Sequence, residues 1–142
     1  MKDTREKKAQ VGQNTMSKEK IIYTTPNFES DIRSLGAIYK RYGKIIRSVY
    51  GPPRGGLIPA VYLSHELGVP LIVKPEKINK HTLIVDDIYD TGRTMDRITK
   101  AHKYFAVCVL WYNGDTKGKL LVQYKNIKVE NQWIIFPWET LN

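Results

Sequence analysis

Short apolar runs alternating with amphipathic segments predict an α/β fold, a parallel sheet flanked by helices. The runs at 44–50, 71–73, 83–85 and 105–111 are too short for separate helices and rich in Ile, Val and Leu, as strands buried on both faces are. Glycine and proline at 51–56 and 68–70, and Gly92, punctuate the transitions. Strand–loop–helix repetition of this kind gathers ligands where the loops leave the carboxyl ends of the strands.

Residues 1–19 lack aromatic residues and any amphipathic period, so they are expected to form a disordered tail ahead of a single domain over 20–142. Ile21-Ile22-Tyr23-Thr24 predicts a short strand. Thr25-Pro26 opens a helix, because proline already has the φ of a first turn and lacks an N–H that would go unpaired there. Phe28, Ile32, Leu35, Ile38 or Tyr39, and Tyr42 share one face, and Gly43 closes it. Residues 44–50 give the next strand, then comes the loop Gly51-Pro52-Pro53-Arg54-Gly55-Gly56. A helix through Leu57, Val61, Leu63 and Leu67 follows, ended by Gly68 and Pro70. After the strand at 71–73, a short connection at 74–81 leads to the strand centred on Leu83, Ile84 and Val85. Residues 95–104 predict a helix and 105–111 another strand. Residues 113–142 are less regular, with turn signals at Asn113-Gly114-Asp115 and Lys117-Gly118 and short strands expected at 120–124 and 127–129. They are expected to close over the site.

With 142 residues, 42% of them hydrophobic, the chain can bury one domain's core. It has no apolar run of about 18 residues, and its amino-terminal segment has no apolar secretory core, so a soluble, cytoplasmic protein without a membrane partner is expected. The single cysteine, Cys108, lies inside an apolar run and reads as a buried inert thiol. The net charge of +9 is spread along the chain, with six of the 23 basic residues in the first 20. A small polyanionic substrate accounts for such a surplus, and nucleic acid is not the partner expected.

The run Thr82-Leu83-Ile84-Val85-Asp86-Asp87-Ile88-Tyr89-Asp90-Thr91-Gly92-Arg93-Thr94 carries an apolar strand into three carboxylates, a glycine and two threonines before a helix. It reads as a ribose-phosphate site. Free N–H groups at the helix start suit a phosphate, Gly92 lets the main chain approach an anion, and Thr91 and Thr94 add hydroxyl donors. Asp86 and Asp87 would accept from vicinal sugar hydroxyls. The loop at 51–56 also joins a strand to a helix, so its amides and the Arg54 guanidinium suit an anion such as pyrophosphate, although a plain turn has the same composition. In Trp133-Ile134-Ile135-Phe136-Pro137-Trp138-Glu139, two indoles offer either packing surfaces or a stacking platform for a purine.

The pattern of an apolar run, two acidic residues, two apolar residues and Asp-Thr-Gly-x-Thr resembles the phosphoribosyl pyrophosphate (PRPP) signature of the type I phosphoribosyltransferases. The order of both loops and the ending Trp-Ile-x-x-Pro-Trp-acidic resembles the xanthine-guanine (hypoxanthine) branch. The resemblance spans residues 21–139. It implies a Rossmann-like parallel sheet with a small hood built from the amino-terminal strand and residues 113–142. It also implies transfer of ribose 5-phosphate from PRPP to xanthine, hypoxanthine or guanine with release of pyrophosphate, Mg2+ as cofactor, and a homo-oligomer. On this resemblance Asp86, Asp87, Asp90, Thr91, Gly92, Arg93 and Thr94 bind PRPP, and Pro53, Arg54, Gly55 and Gly56 bind pyrophosphate. Asp90 is the general base, and Asp86 and Asp87 hold the metal through water. Trp133 stacks on the purine and the Ile134 backbone contacts it. A cis bond is implied at 53–54, while 52–53 is the intrinsically easier place.

Two departures stand out. Where oxopurine enzymes of the family carry a lysine that reads the exocyclic O6, this chain has Asn113, whose amide can donate or accept. The long loop that covers the reaction in relatives is reduced to 74–81, so closure must come from elsewhere or catalysis is slow. The shortening also supports an alternative, a non-catalytic PRPP- or nucleotide-binding regulator on the same fold. In that short loop His81 is a candidate pyrophosphate contact.

Overall fold

The computed structural model describes residues 18–139. Most of the expected amino-terminal tail therefore lies outside the described residues. The elements run β1 (Glu19–Ile22), α1 (Thr25–Lys40), β2 (Ser48–Tyr50), α2 (Leu57–Leu67), β3 (Leu71–Ile72), β4 (Thr82–Tyr89), α3 (Arg93–Ala101), β5 (Ala106–Asn113), β6 (Gln123–Lys128) and β7 (Gln132–Ile135). Five strands pair in the order β3-β2-β4-β5-β6, every neighbour parallel. The hood is a separate two-stranded parallel sheet in which β1 pairs with β7, Lys20 opposite Trp133 and Ile21 opposite Ile134. Of residues 113–142, β6 thus joins the main sheet and β7 makes the hood.

Thr24 caps α1 by accepting from the Asn27 N–H at 3.2 Å, with Pro26 in the first turn. The α1 face of Phe28, Ile32, Leu35 and Tyr39 packs with Ala60 and Leu63 of α2 against Val49, Leu83, Val85, Cys108 and Leu110. On the opposite face, Met95 and Ile98 of α3 cover Tyr50, Ile84, Val107 and Val109. Strand residues of alternating direction are therefore all buried, which is why the strands read as continuous apolar runs. Gly68 ends α2 at φ +67°, donating to the Ser64 and His65 carbonyls. Burial pushes the Cys108 thiol up, as expected for an inert side chain.

Several boundaries differ from expectation: β1 is Glu19–Ile22 rather than 21–24, α1 ends at Lys40 before Tyr42, and β5 runs Ala106–Asn113 rather than 105–111. Residues 44–50 are not one strand: a 3-10 turn occupies Gly43–Ile45, Ile45 is half-exposed, and pairing begins at Ser48. The strands expected at 120–124 and 127–129 are one strand, β6, because its partner β5 pairs along Cys108 to Asn113 without a break in register. The helix expected at 95–104 spans Arg93–Ala101. The 74–81 connection makes a 3-10 turn at Pro75–Lys77 and buries Ile78. It descends to the amino end of β4.

Candidate active site

The carboxyl end of β4 positions the carboxylates. The apolar pattern stops at Val85, yet β4 continues to Tyr89 because Ile88 and Tyr89 pair with Trp111 and Tyr112 of β5. Asp86 and Asp87 therefore sit on the strand itself, and both line the cavity at its carboxyl end. Asp86 is 8% exposed, and its Oδ1 accepts from the Asp87 N–H at 2.8 Å; the Asp87 Oδ1 accepts from the Ile88 N–H at 2.8 Å. Burial, with the adjacent Asp87 carboxylate, pushes the Asp86 carboxyl up to about 9, and burial also raises Asp87.

Residues 86–95 line one cavity of about 210 Å³, so Asp86, Asp87, Asp90, Thr91, Gly92, Arg93 and Thr94 converge. Gly92 takes φ +88° as the residue before α3, a conformation that disfavours any side chain. At the start of α3 the Arg93 N–H donates to the Thr91 hydroxyl at 3.3 Å. The Tyr89 hydroxyl packs beneath the loop, buried and without a hydrogen-bond partner among the described residues, and a Cβ at Gly92 would come within 2.6 Å of it. Gly118 of the β5–β6 connection lies against the same hydroxyl.

The second loop meets the first through its glycines. A Cβ at Gly55 would clash with the Asp87 carboxylate, and one at Gly56 would lie 2.9 Å from Asp86 Oδ1 and 2.8 Å from Pro52 Cδ. Only glycine lets the two loops close on each other here. The Pro53–Arg54 bond is cis, the position implied by the resemblance rather than 52–53. Arg54, Gly55, Ile58, Asp87, Trp138 and Glu139 line a cavity of about 570 Å³. Asp87 belongs to both cavities and joins them.

Asp90 is exposed at the end of β4, where its Oδ1 accepts from Asn113 Nδ2 at 2.9 Å. Trp133 and Ile134 lie on β7 of the hood. Ile134 is buried, whereas the Trp133 indole is 53% exposed, with the Lys18 ammonium 5.4 Å from its ring centroid. Trp138, unassigned by the sequence reading, stacks on Phe136 at 5.2 Å and lines the larger cavity with Glu139. The turn after β7, signalled by Pro137, brings both there. His81 does not reach the site: it precedes the first residue of β4, and its Nδ1 meets the Ile45 carbonyl at 2.9 Å. Four residues of β4, Thr82 to Val85, at about 3.3 Å each, separate it from Asp86.

Among the described residues no cluster of three or more carboxylate, histidine or cysteine ligands forms a closed metal cage. Two adjacent carboxylates that burial forces toward protonation nonetheless fit Mg2+, which takes one or two carboxylates and fills its other positions with water and substrate oxygens. No described helix is long and apolar enough to cross a membrane.

Comparison with known proteins gives the same answer. The phosphoribosyl transferase domain family matches residues 72–141. The chain is 28% identical over 140 residues to the xanthine-guanine phosphoribosyltransferase of Gluconobacter oxydans, covering 82% of this chain and 83% of that one. It is 26% identical over 143 residues to the enzyme of the same name from Vibrio atlanticus, covering 85% and 90%. The crystal structure of a purine phosphoribosyltransferase from Pyrococcus horikoshii superposes with a TM-score of 0.73 at 28% identity, over 87% of this chain and 96% of that one. With its parallel sheet and two interlocked loops, the chain matches the phosphoribosyl transferase domain over residues 72–141 and is similar along most of its length to xanthine-guanine phosphoribosyltransferases.

Proposed function

We propose that the protein is a purine phosphoribosyltransferase, transferring ribose 5-phosphate from PRPP to a 6-oxopurine and releasing pyrophosphate. The observation that carries this reading is the junction of two anion-binding loops at Asp87, with Gly55 of one packed against the carboxylate of the other. The α3 start, with Thr91, Gly92, Arg93 and Thr94, holds the 5-phosphate, and Pro53, Arg54, Gly55 and Gly56 hold pyrophosphate. Asp86 and Asp87 bind the ribose hydroxyls and, through water, the cation. When bound, Mg2+ neutralises charge on the departing pyrophosphate.

The oxocarbenium character that develops at the anomeric carbon makes charge placement decisive. Arg54 draws negative charge toward the leaving group, while the carboxylates of Asp86 and Asp87 face the sugar. Asp90 takes the proton from purine N7 as N9 bonds to the sugar. Trp133 stacks on the base, the Ile134 backbone contacts its edge and Asn113 meets its exocyclic group. The single domain spans residues 20–142, and a homo-oligomer is the assembly that this reading favours.

The test is chromatographic detection of mononucleotide from PRPP, Mg2+ and each of xanthine, hypoxanthine, guanine and adenine. Product with a 6-oxopurine supports the reading. Magnesium-dependent PRPP binding without product from any base would favour the regulator instead, which the short 74–81 connection makes physically reasonable. Trp133→Ala is expected to weaken purine binding by about 1 to 3 kcal/mol, measured by calorimetry. Unchanged affinity would leave Trp133 a surface residue of the hood and turn attention to Trp138.

A further inference from the structure

Positive charge that is spread along the sequence is gathered by the fold. Neighbouring strands of the main sheet are all parallel, so the α1–β2, β3–β4 and α3–β5 connections meet at the end where the strands begin. Hydrogen bonds join them there: the Arg47 N–H donates to the His81 carbonyl at 2.9 Å, and the Phe105 N–H to the Thr82 carbonyl at 2.8 Å. Arg41, Lys44, Arg47, Lys80 and Lys103 are exposed on these connections. Lys40, beside them, is offset by Glu66 in the last turn of α2 at 3.7 Å. The whole of β4, eight residues at about 3.3 Å each, lies between His81 at this end and the loop that begins at Asp90. These cations are therefore out of reach of a ligand held at the carboxyl ends of the strands.

Next to the cations is a cavity that the transfer reaction does not use. It holds about 350 Å³, within the range of small-molecule sites, and its walls include Ile38, Tyr42, Tyr104, Phe105, Leu121 and Val122. Tyr42 is 44% exposed and stands edge-on to Phe105 with ring centroids 5.0 Å apart. Arg41 and Lys44 flank Tyr42 in the chain, and Lys103 adjoins Tyr104, so cations and aromatic rings alternate along one rim. Aromatic walls suit a nucleobase, whose π-face stacks whatever its identity, and a cationic rim suits phosphate. We propose that this cleft binds a nucleotide, free or within a single strand, with its base against Tyr42 and Tyr104 and its phosphates on Arg41, Lys44 and Lys103. The sequence reading did not expect nucleic acid because the charge looked diluted along the chain, whereas the parallel topology concentrates it. The proposal shares no residue with the carboxyl-end site and stands independently of the purine reading.

The probes are a fluorescein-labelled uridine decamer and UMP, chosen because uracil lies outside the base class proposed for the transfer site. By fluorescence anisotropy the decamer is expected to bind in about 50 mM KCl and to weaken with salt at a log–log slope of about −2, as roughly three neutralised single-strand phosphates give. Combining Arg41→Gln, Lys44→Gln and Lys103→Gln is expected to weaken it by about tenfold or more and to flatten the slope. The melting curve should not move, because all three side chains are exposed. Tyr42→Leu keeps an apolar contact for Phe105 and is expected to weaken binding by about fivefold or more with the slope unchanged. UMP that displaces the decamer identifies a free nucleotide as the ligand, and UMP that fails to displace it identifies a strand; both support the cleft. Wild-type affinity in the folded charge variant, displacement of the decamer by PRPP with Mg2+, or no binding of either probe would overturn the inference. Purine turnover is expected to be unchanged in these variants, so the two readings are judged separately.

Discussion

Asp90→Ala is expected to lower turnover by about 10² to 10⁴-fold with 6-oxopurines, the range associated with a positioned general base. The geometry makes this variant a clean probe. Asp90 lies at the exposed end of β4, outside both core clusters, and the side-chain hydrogen bond recorded for it is the one donated by Asn113. Its removal therefore takes no packing from the sheet. Melting temperature should stay near wild type and magnesium-dependent PRPP affinity should change little, because Asp90 is only one of the residues lining the PRPP site, where the proposed function places the 5-phosphate on Thr91 to Thr94 and the ribose on Asp86 and Asp87. The loss should appear in kcat and not in KM for PRPP, since proton removal at N7 matters in the transition state more than in the ground state. Steady-state kinetics under saturating PRPP measure it. Wild-type kcat would remove Asp90 from the chemistry and leave proton transfer to solvent.

What the sequence made legible follows from how local the causes are. Pro26 starts α1 and Gly68 ends α2 by adopting φ +67°, so both were readable locally, whereas Thr24, read as the end of the first strand, is the α1 cap. The Asp86-Asp87 and Asp90-Thr91-Gly92 run was readable because its residues share one cavity through chain adjacency. Features set by distant partners were not. β4 continues through two aspartates to Tyr89 only because β5 offers backbone partners there, and a carboxylate-rich strand has no periodicity of its own. Residues 44–50 read as a strand because Ile45 and Ile46 are apolar, yet Ile46 is buried while Ile45 turns outward in a 3-10 turn. Trp133 and Trp138 are equal as indoles in the sequence. Which of them faces the larger cavity depends on the parallel pairing of β7 with β1 and the turn that follows. His81 looked near the site because its loop precedes the signature strand, but a strand has two ends.

The buried carboxylate pair yields the other large effect, on stability. Asp86 is 8% exposed, and burial with the Asp87 carboxylate beside it pushes its carboxyl from 3.8 up to about 9. The folded chain therefore holds this proton to higher pH than the unfolded chain does. Below the unfolded value both states are protonated and the site has no pH-dependent effect. As pH rises through the window up to about 9, the unfolded chain binds fewer protons than the folded chain, so stability falls. Asp86→Asn keeps the shape and an oxygen acceptor for the Asp87 N–H while removing the ionisation. In magnesium-free buffer without PRPP, this variant is expected to melt above wild type, by about 2 kcal/mol or roughly 5 °C near pH 8. The difference should shrink toward zero near pH 4. Added Mg2+ and PRPP should reverse the order, because a ligand that binds the ionised pair stabilises wild type and has less to bind in the variant. Thermal melts across pH, with and without ligand, test both signs. A variant that melts below wild type at pH 8 without ligand would mean that Asp86 is stabilised by its surroundings in ionised form, and the stored cost would not be available for cation binding. The expected pattern instead makes the strand end a place where fold stability is given up for ligand affinity, as buried like charges at functional sites are arranged to do.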